Sequence, residues 1–209
     1  MKYLRTLLCL IAIIAITGCA HPITIGPNIE NIQPHADIPA IEKNAGYTIP
    51  DSLRKEAVTT PGGGGDKVTY YPYKDIETSF YKMLSNTFDD VTVLKSSDDT
   101  AAIIQHEVDY IITPHITTDS SSPSAFTWPP TDFTVHLSCI IADIEGNVIA
   151  SPSVTGTGHA EYEEFKSDFS LSGKRATEDA LKKMQTKLLT LPKLRIHQTQ
   201  HSKVSTSQQ

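Results

Sequence analysis

The sequence predicts an α+β domain of two layers, a mixed, largely antiparallel sheet with two main helices packed on one face. Two segments, 73–88 and 176–188, carry apolar residues at the spacing of a helix that buries one side. A third, 132–143, alternates apolar and polar residues, which is typical of a half-buried strand. Turn residues at 145–147 lead into a second β-rich stretch, 148–159, so we expect these two strands to form a hairpin.

The N-terminal residues have the composition of a secretory signal peptide. Lys2 and Arg5 give a positive start, and Leu7–Ile16 contains no charged side chain. A spanning helix needs roughly 18 apolar residues, so this stretch is too short to cross a membrane as a helix. Residues 1–18 are therefore predicted to be a signal peptide that is removed from the mature protein.

Ile16-Thr17-Gly18-Cys19 resembles the lipobox of bacterial lipoproteins. The resemblance implies signal cleavage after Gly18 and attachment of a diacylglycerol group to the Cys19 thiol. Several acyl chains hold a protein stably on a bilayer, so the membrane is the first expected partner. The second mature residue is Ala20 and not Asp, which in the enterobacterial sorting rule implies an anchor in the outer membrane, facing the periplasm, rather than in the inner membrane.

Residues 19–66 are predicted to be the acylated cysteine followed by a Pro/Gly-rich tether. Six of the 13 prolines fall in this segment, and Gly62–Gly65 is a run of glycines. Proline at this density prevents a continuous helix and disfavours central strands. Short pieces, 23–26 and 46–49, could still pair as edge strands.

The folded domain is predicted to span residues 67–191. Between its first helix and the hairpin, the pattern predicts a short strand at 91–95 and a buried strand at 108–117. A small helix at 98–106 is expected to join them, with its inward side formed by Ala101, Ala102 and Ile104.

The last segment, 192–209, is predicted to be a disordered polar tail. It contains no acidic residue and few apolar ones, and Pro192 is expected to stop the final helix. Upstream, Cys139 falls at an inward position of the best strand and is expected to be a small buried hydrophobe.

The predicted domain resembles the small α/β domains of several envelope lipoproteins over about residues 70–191. The families are the curli secretion-channel subunit, the N-terminal domain of the Tol-system propeller protein, and auxiliary lipoproteins of lipid-transport ABC systems. Val108–Pro114 is similar to one of their strands, and Asp143–Asn147 with Gly156 and Gly158 is similar to their hairpin. The resemblance implies an accessory role in the cell envelope.

No motif in the sequence predicts an enzyme. Gly62–Lys67 lacks the order of a phosphate-binding loop, because Asp66 precedes the lysine and no Ser or Thr follows it directly. Two Ser-x-x-Lys patterns, at 52–55 and 79–82, lack the companion motifs of serine acyl-transferases. The eight histidines do not cluster at metal-ligand spacing within an ordered element. His197 and His201 have such a spacing but lie in the predicted disordered tail, so we expect no metal site and no cofactor.

Two further segments are expected to be exposed and are candidates for function. The acidic run at 161–168 is interpreted as a solvated connection before the last helix, rather than a calcium or carboxylate site. The long segment 117–131 contains Phe126 and Trp128, which are candidates for partner contact. The alternative is that both aromatic side chains fold back and cap the core.

Composition narrows the expected partners. The net charge of −6 argues against nucleic acid, and the apolar fraction of 39% is enough for a folded core. The resulting hypothesis is a non-catalytic accessory subunit of an envelope assembly, transport or secretion system that binds a protein partner, with self-association left open. The alternatives are a lipid- or glycan-binding module with a pocket between sheet and helices, near Phe80 and Met184, and an envelope hydrolase.

Overall fold

A computed structural model describes residues 20–61, 67–122 and 131–196, and it has the predicted α+β fold. The strands are β1 (Ala20–Pro22), β2 (Ile41–Tyr47), β3 (Val58–Pro61), β4 (Lys67–Tyr70), β5 (Phe88–Val93), β6 (Tyr110–Ser121), β7 (Asp132–Ala142), β8 (Val148–Ala150) and β9 (Ser153–His159). The helices are α1 (Asp51–Arg54), α2 (Pro72–Ser85), α3 (Thr100–Gln105), α4 (Tyr162–Phe165), α5 (Leu171–Leu189) and α6 (Pro192–Ile196), with a 3₁₀ turn at Ile29–Asn31. Among these helices none is long and apolar enough to cross a membrane.

The main sheet has six strands in the order β5-β2-β6-β7-β8, with β9 also paired to β7. Strand β2 runs parallel to β5 and β6, whereas β6, β8 and β9 are antiparallel to their neighbour β7. The sheet is thus mixed and largely antiparallel, as predicted. A second small sheet, β1-β4-β3, was not expected from the sequence.

The core lies between the main sheet and the helices α2 and α5. Each helix turns its apolar stripe to the sheet, as its spacing predicts: Ile76, Phe80, Met83 and Leu84 from α2, and Ala176, Ala180, Leu181, Met184 and Leu188 from α5. Phe133, Val135, Leu137, Cys139 and Ile141 face them from β7. Tyr70, the last residue of β4, and Tyr73, in the first turn of α2, are also buried.

The tether prediction is wrong for residues 20–61. Strand β2 lies inside the main sheet, where Ala45 pairs with Val91 on one side and Tyr110 on the other. Pro39 and Pro50 flank this strand, and the residues of β2 itself contain no proline, so its backbone donors are intact. The proline-rich composition therefore describes the connections around β2 and not a free spacer.

The prediction of a disordered tail from residue 192 is wrong for residues 192–196. Residues 192–196 form α6, where Leu194 is completely buried and its carbonyl accepts a hydrogen bond from the Tyr110 hydroxyl at 3.3 Å. Arg195 donates to the carbonyl of Pro39 at 2.7 Å. Proline at the first position of a helix loses no intrahelical bond, so Pro192 begins α6 as well as following α5. Residues 197–209 lie outside the described residues.

In the predicted hairpin, β7 pairs with two strands, β8 and β9, rather than with one. Pro152 falls between β8 and β9, but its carbonyl still accepts a hydrogen bond from the Cys139 N–H at 3.0 Å. The predicted turn is present, with Gly146 at a φ of 88°, a conformation that favours glycine.

Helix α5 crosses β9 at unusually close range. A Cβ added at Gly158 would overlap the Ser172 carbonyl oxygen, and one added at Gly156 would overlap the Ala176 carbonyl oxygen. Glycine at these two inward positions therefore lets the helix backbone rest on the strand. The approach also brings polar side chains of α5 around the free edge of the sheet.

Candidate functional site

The residues predicted to carry function lie outside the described residues. Gly18 and Cys19 precede the first described position, and Phe126 and Trp128 fall in the segment 123–130. Lipid attachment and partner contact at these positions stay predictions. A different candidate site is formed by residues that only the tertiary structure brings together.

The site is an apolar groove on the face of the sheet opposite to α2 and α5. Its volume is about 680 Å³. It runs between helix α3 on one side and the β7–β8 turn on the other. The sheet forms its floor, where Ile111 pairs with Ala142 and Thr113 pairs with Ile140.

Helix α3 forms the first wall of the groove. The Asp99 carboxylate caps the helix by accepting a hydrogen bond from the Ala102 N–H at 3.3 Å. Ala102 and Ile103 pack on a small cluster of buried side chains, Leu94, Val108 and Ile111, which fixes the helix on the sheet.

The inward side of α3 differs from the prediction. Ala102 faces the sheet as expected, but Ala101 and Ile104 are exposed, and Ile103 takes the inward position. One residue advances a helix by about 100°, so a helix anchored through positions 102 and 103 turns position 104 away from the cluster. Ile104 is thereby left at the open side of the groove.

The β7–β8 turn forms the second wall. The Asp143 carboxylate accepts hydrogen bonds from the Asn147 backbone N–H at 2.8 Å and from its side-chain amide at 3.0 Å. These bonds hold the turn in shape and present Ile144 and Val148 to the groove.

The groove is open, and its walls expose large aliphatic side chains. The exposed fractions are 71% for Ile104, 61% for Val148, 52% for Ile144 and 49% for Ile140. Ile140 is notable because it occupies an outward position of β7, where the preceding outward residues, Thr134, His136 and Ser138, are polar. Sequence analysis missed this patch, although an isoleucine at a polar position of an alternating strand was a usable signal.

The charged residues that line the groove are all acidic, namely Asp98, Asp143 and Glu145. Hydrogen bonding to the Ser96 side chain lowers the pKa of Asp98, and bonding to Asn147 lowers the pKa of Asp143. Both side chains are therefore carboxylates at neutral pH. In an adjacent depression, the Lys43 ammonium is bound to Asp109 at 2.6 Å.

The rest of this sheet face is polar. Rows of cross-strand neighbours run over β6, β7 and β9, such as Thr117–His136–Thr155, and the His136 ring lies 2.9 Å from the Thr155 hydroxyl. His136 and His159 are both exposed, as expected from the strand pattern.

Several other titratable groups are engaged in structural contacts. Arg54 binds Glu77 at 2.7 Å and so ties α1 to α2, while the Tyr47 hydroxyl donates to the same carboxylate at 3.3 Å. Burial raises the pKa of the Cys139 thiol to about 12, so this group stays protonated and unreactive. Over the described ranges, no group of His, Cys, Asp and Glu side chains could hold a metal ion.

The acidic connection before α5 forms ion pairs with residues of that helix. Glu164 binds Arg175 at 2.7 Å, and Asp168 binds Lys174 at 2.7 Å. Phe80 and Met184, in contrast, are fully packed in the core, so these two side chains serve the interior of the domain.

No protein-family model and no curated protein matches the sequence. Several solved structures are similar in fold. A DUF330 protein from Xanthomonas campestris is 13% identical, with a TM-score of 0.46, and the match covers 82% of this chain and 93% of that one. A minor lipoprotein from Acinetobacter baumannii is 12% identical, with a TM-score of 0.43, over 71% and 94% of the two chains.

A third similar structure is the PelC dodecamer from Paraburkholderia phytofirmans. It is 13% identical, with a TM-score of 0.35, and the match covers 68% of this chain and 91% of that chain. At these scores the likeness concerns the arrangement of strands and helices, and the roles of these proteins are not transferred to this chain.

Proposed function

We propose that this protein is a lipid-anchored, non-catalytic subunit of a bacterial envelope complex that docks a protein partner in the groove between α3 and the β7–β8 turn. The observation that carries the proposal is the cluster of four exposed aliphatic side chains around this groove. Apolar surface removed from water contributes roughly 25 cal/mol per Å², so an exposed apolar patch on a stable domain favours association.

The anchor in this proposal is the thiol of Cys19, after cleavage behind Gly18. The lipobox-like segment supports it, and Ala20 favours the outer membrane. Ala20, which follows Cys19, already pairs with Lys67 in the small sheet. An anchor at Cys19 would therefore hold the domain close to the membrane surface rather than at the end of a long spacer.

A docking role fits the chemistry of the groove better than catalysis does. Half of its lining residues are aliphatic, and no histidine, cysteine or lysine lines it beside the three carboxylates and the hydroxyls of Ser97, Thr100 and Thr113. Binding by burial of apolar surface needs neither a base nor a nucleophile.

The experiment is photo-crosslinking in cells with a photoreactive amino acid placed at Val148, in the groove. The matched control places it at Ile29, which is also exposed but lies on the 3₁₀ turn away from the groove. We expect a discrete protein adduct from position 148 and none from position 29. Equal labelling at both positions, or labelling of lipid alone at position 148, would contradict protein docking.

Two further variants test the parts of the proposal that the sequence supplies. Cys19→Ser should release the protein from the membrane fraction. Replacing Phe126 and Trp128 with Ala should weaken the adduct if these aromatic side chains also contact the partner. An adduct of undiminished yield would remove them from the interface but leave the groove as the docking site.

A further inference from the structure

The groove combines two features that together specify its occupant. Its centre is aliphatic, with Ile104 projecting from one wall and Val148 from the other. Its rim is acidic on both sides: Asp98 precedes α3, and Glu145 stands at the tip of the opposite turn. An occupant that satisfies both walls must be apolar in the middle and positively charged at its ends.

We propose that the groove accepts an apolar segment of a partner protein that is flanked by lysine or arginine residues. This inference rests on the proposed function and adds the chemistry of the partner. The aliphatic centre supplies the burial, and the carboxylates select the charge of the flanking residues.

The shape of the groove favours a protein segment over a small ligand. Pockets for small molecules enclose most of the ligand surface. Here the aliphatic side chains of both walls are about half exposed or more, so a small molecule would remain largely in water. A chain segment can lie along the groove and extend beyond it on both sides, where the carboxylates stand.

Within the described residues, a second copy of this chain does not offer the required surface on its basic helix α5. Its basic residues concentrate after position 169, with eight Lys and Arg against two Asp and Glu. In α5, however, the aliphatic side chains that accompany them, Leu181, Leu188 and Leu189, are buried in the core. The exposed basic side of α5 therefore lacks the apolar centre that an occupant of the groove needs.

The test uses the chain from residue 20 onward, which contains all the described core residues, and two fluorescent peptides, KKLVLVLKK and EELVLVLEE. Fluorescence anisotropy measures the dissociation constant of each. We expect the lysine-flanked peptide to bind at least about tenfold more tightly, and we expect this preference to weaken as salt is added.

Variants assign the effect to the groove. Replacing Asp98 with Asn together with Glu145 with Gln should reduce the preference to less than about threefold, whereas Glu56→Gln, at an exposed site outside the groove, should preserve it. Ile104→Ser with Val148→Ser should weaken both peptides, because it removes the apolar centre.

The outcomes separate this inference from the proposed function. Equal binding of the two peptides, or a preference that survives the Asp98 and Glu145 changes, would overturn the charge selection while the crosslink at Val148 could still establish docking. No binding of either peptide would overturn the inference as well. Loss of both the peptide binding and the crosslink would overturn the proposed function itself.

Discussion

The carbonyl oxygen of Thr155 accepts a hydrogen bond from the Lys183 ammonium at 3.0 Å. The same relationship repeats along the free edge of β9. The contacts are Lys187 to the Ser153 carbonyl at 2.7 Å, the Thr157 N–H to Asp179 at 3.0 Å, and Arg175 to the His159 carbonyl at 2.8 Å. Four helical residues advance about 6 Å and two strand residues about 7 Å, so the helix and strand repeats match over this length.

This ladder of side chains closes one edge of the main sheet. An unpaired edge strand offers its backbone groups to other chains and so promotes aggregation. Here α5 satisfies four of these groups from within the molecule. The β9 edge is therefore less available to another chain than the open groove on the sheet face.

The first prediction concerns the Thr157 amide. Its only acceptor among the contacts above is the Asp179 carboxylate, so Asp179→Ala should speed its hydrogen exchange by at least about fivefold. Amide exchange followed by NMR measures this directly. Glu178→Ala is the matched control on the neighbouring helix position, and it should leave the Thr157 rate unchanged. Equal acceleration in both variants would point to general loosening of α5.

The second prediction concerns the close crossing of α5 and β9. Gly158→Ala places a methyl group against the Ser172 carbonyl, and the backbone must shift to relieve the overlap. We expect a loss of about 1–3 kcal/mol in the free energy of unfolding, measured by urea denaturation. Ser153→Ala, at an exposed position of the same strand, should change stability little. A neutral Gly158→Ala would show that the helix can move away at no cost.

The third prediction concerns the domain boundary. A fragment that starts at residue 67 lacks β2, to which both β5 and β6 pair. Such a fragment should fail to fold, whereas the chain from residue 20 should unfold cooperatively. Circular dichroism during thermal unfolding distinguishes the two. A cooperative transition in the shorter fragment would support the prediction that the residues before position 67 are a tether.

The fourth prediction concerns pH. The His159 ring lies 2.7 Å from Asp132 and 3.2 Å from Glu161, and hydrogen bonding to Asp132 raises the pKa of His159 above its ordinary value. A raised pKa in the folded state stabilises the protein below the unfolded-state pKa, near 6.5, and this contribution is lost as the pH rises through the folded-state pKa.

Replacing Asp132 with Asn should therefore lower the NMR titration midpoint of His159. The variant should also lose more stability at pH 5.5 than at pH 8. Glu145→Gln, in the groove, should leave the midpoint in place. A midpoint insensitive to Asp132→Asn would mean that this contact does not persist in solution.

The sequence was sufficient for elements whose pattern is local and strong. Helix α2, helix α5 and strand β7 each carry a complete apolar periodicity, and the β7–β8 turn carries its glycine, so their type and inward residues could be predicted. The short helix α3 was predicted, but its inward side was assigned to the wrong residues, because six residues contain too few positions to define an inward side.

The sequence by itself thus determined the two-layer fold class, the two main helices and the hairpin, and it supplied the lipobox-like segment that ends at Cys19. The tertiary structure alone decided that β2 lies inside the sheet, that Leu194 is buried and that an apolar groove opens beside Ile104. The physical reason is that strand position and burial depend on partners far along the chain. Strand β2 is held by β5 and β6, and Leu194 by Tyr110, so no local pattern around either segment records its environment.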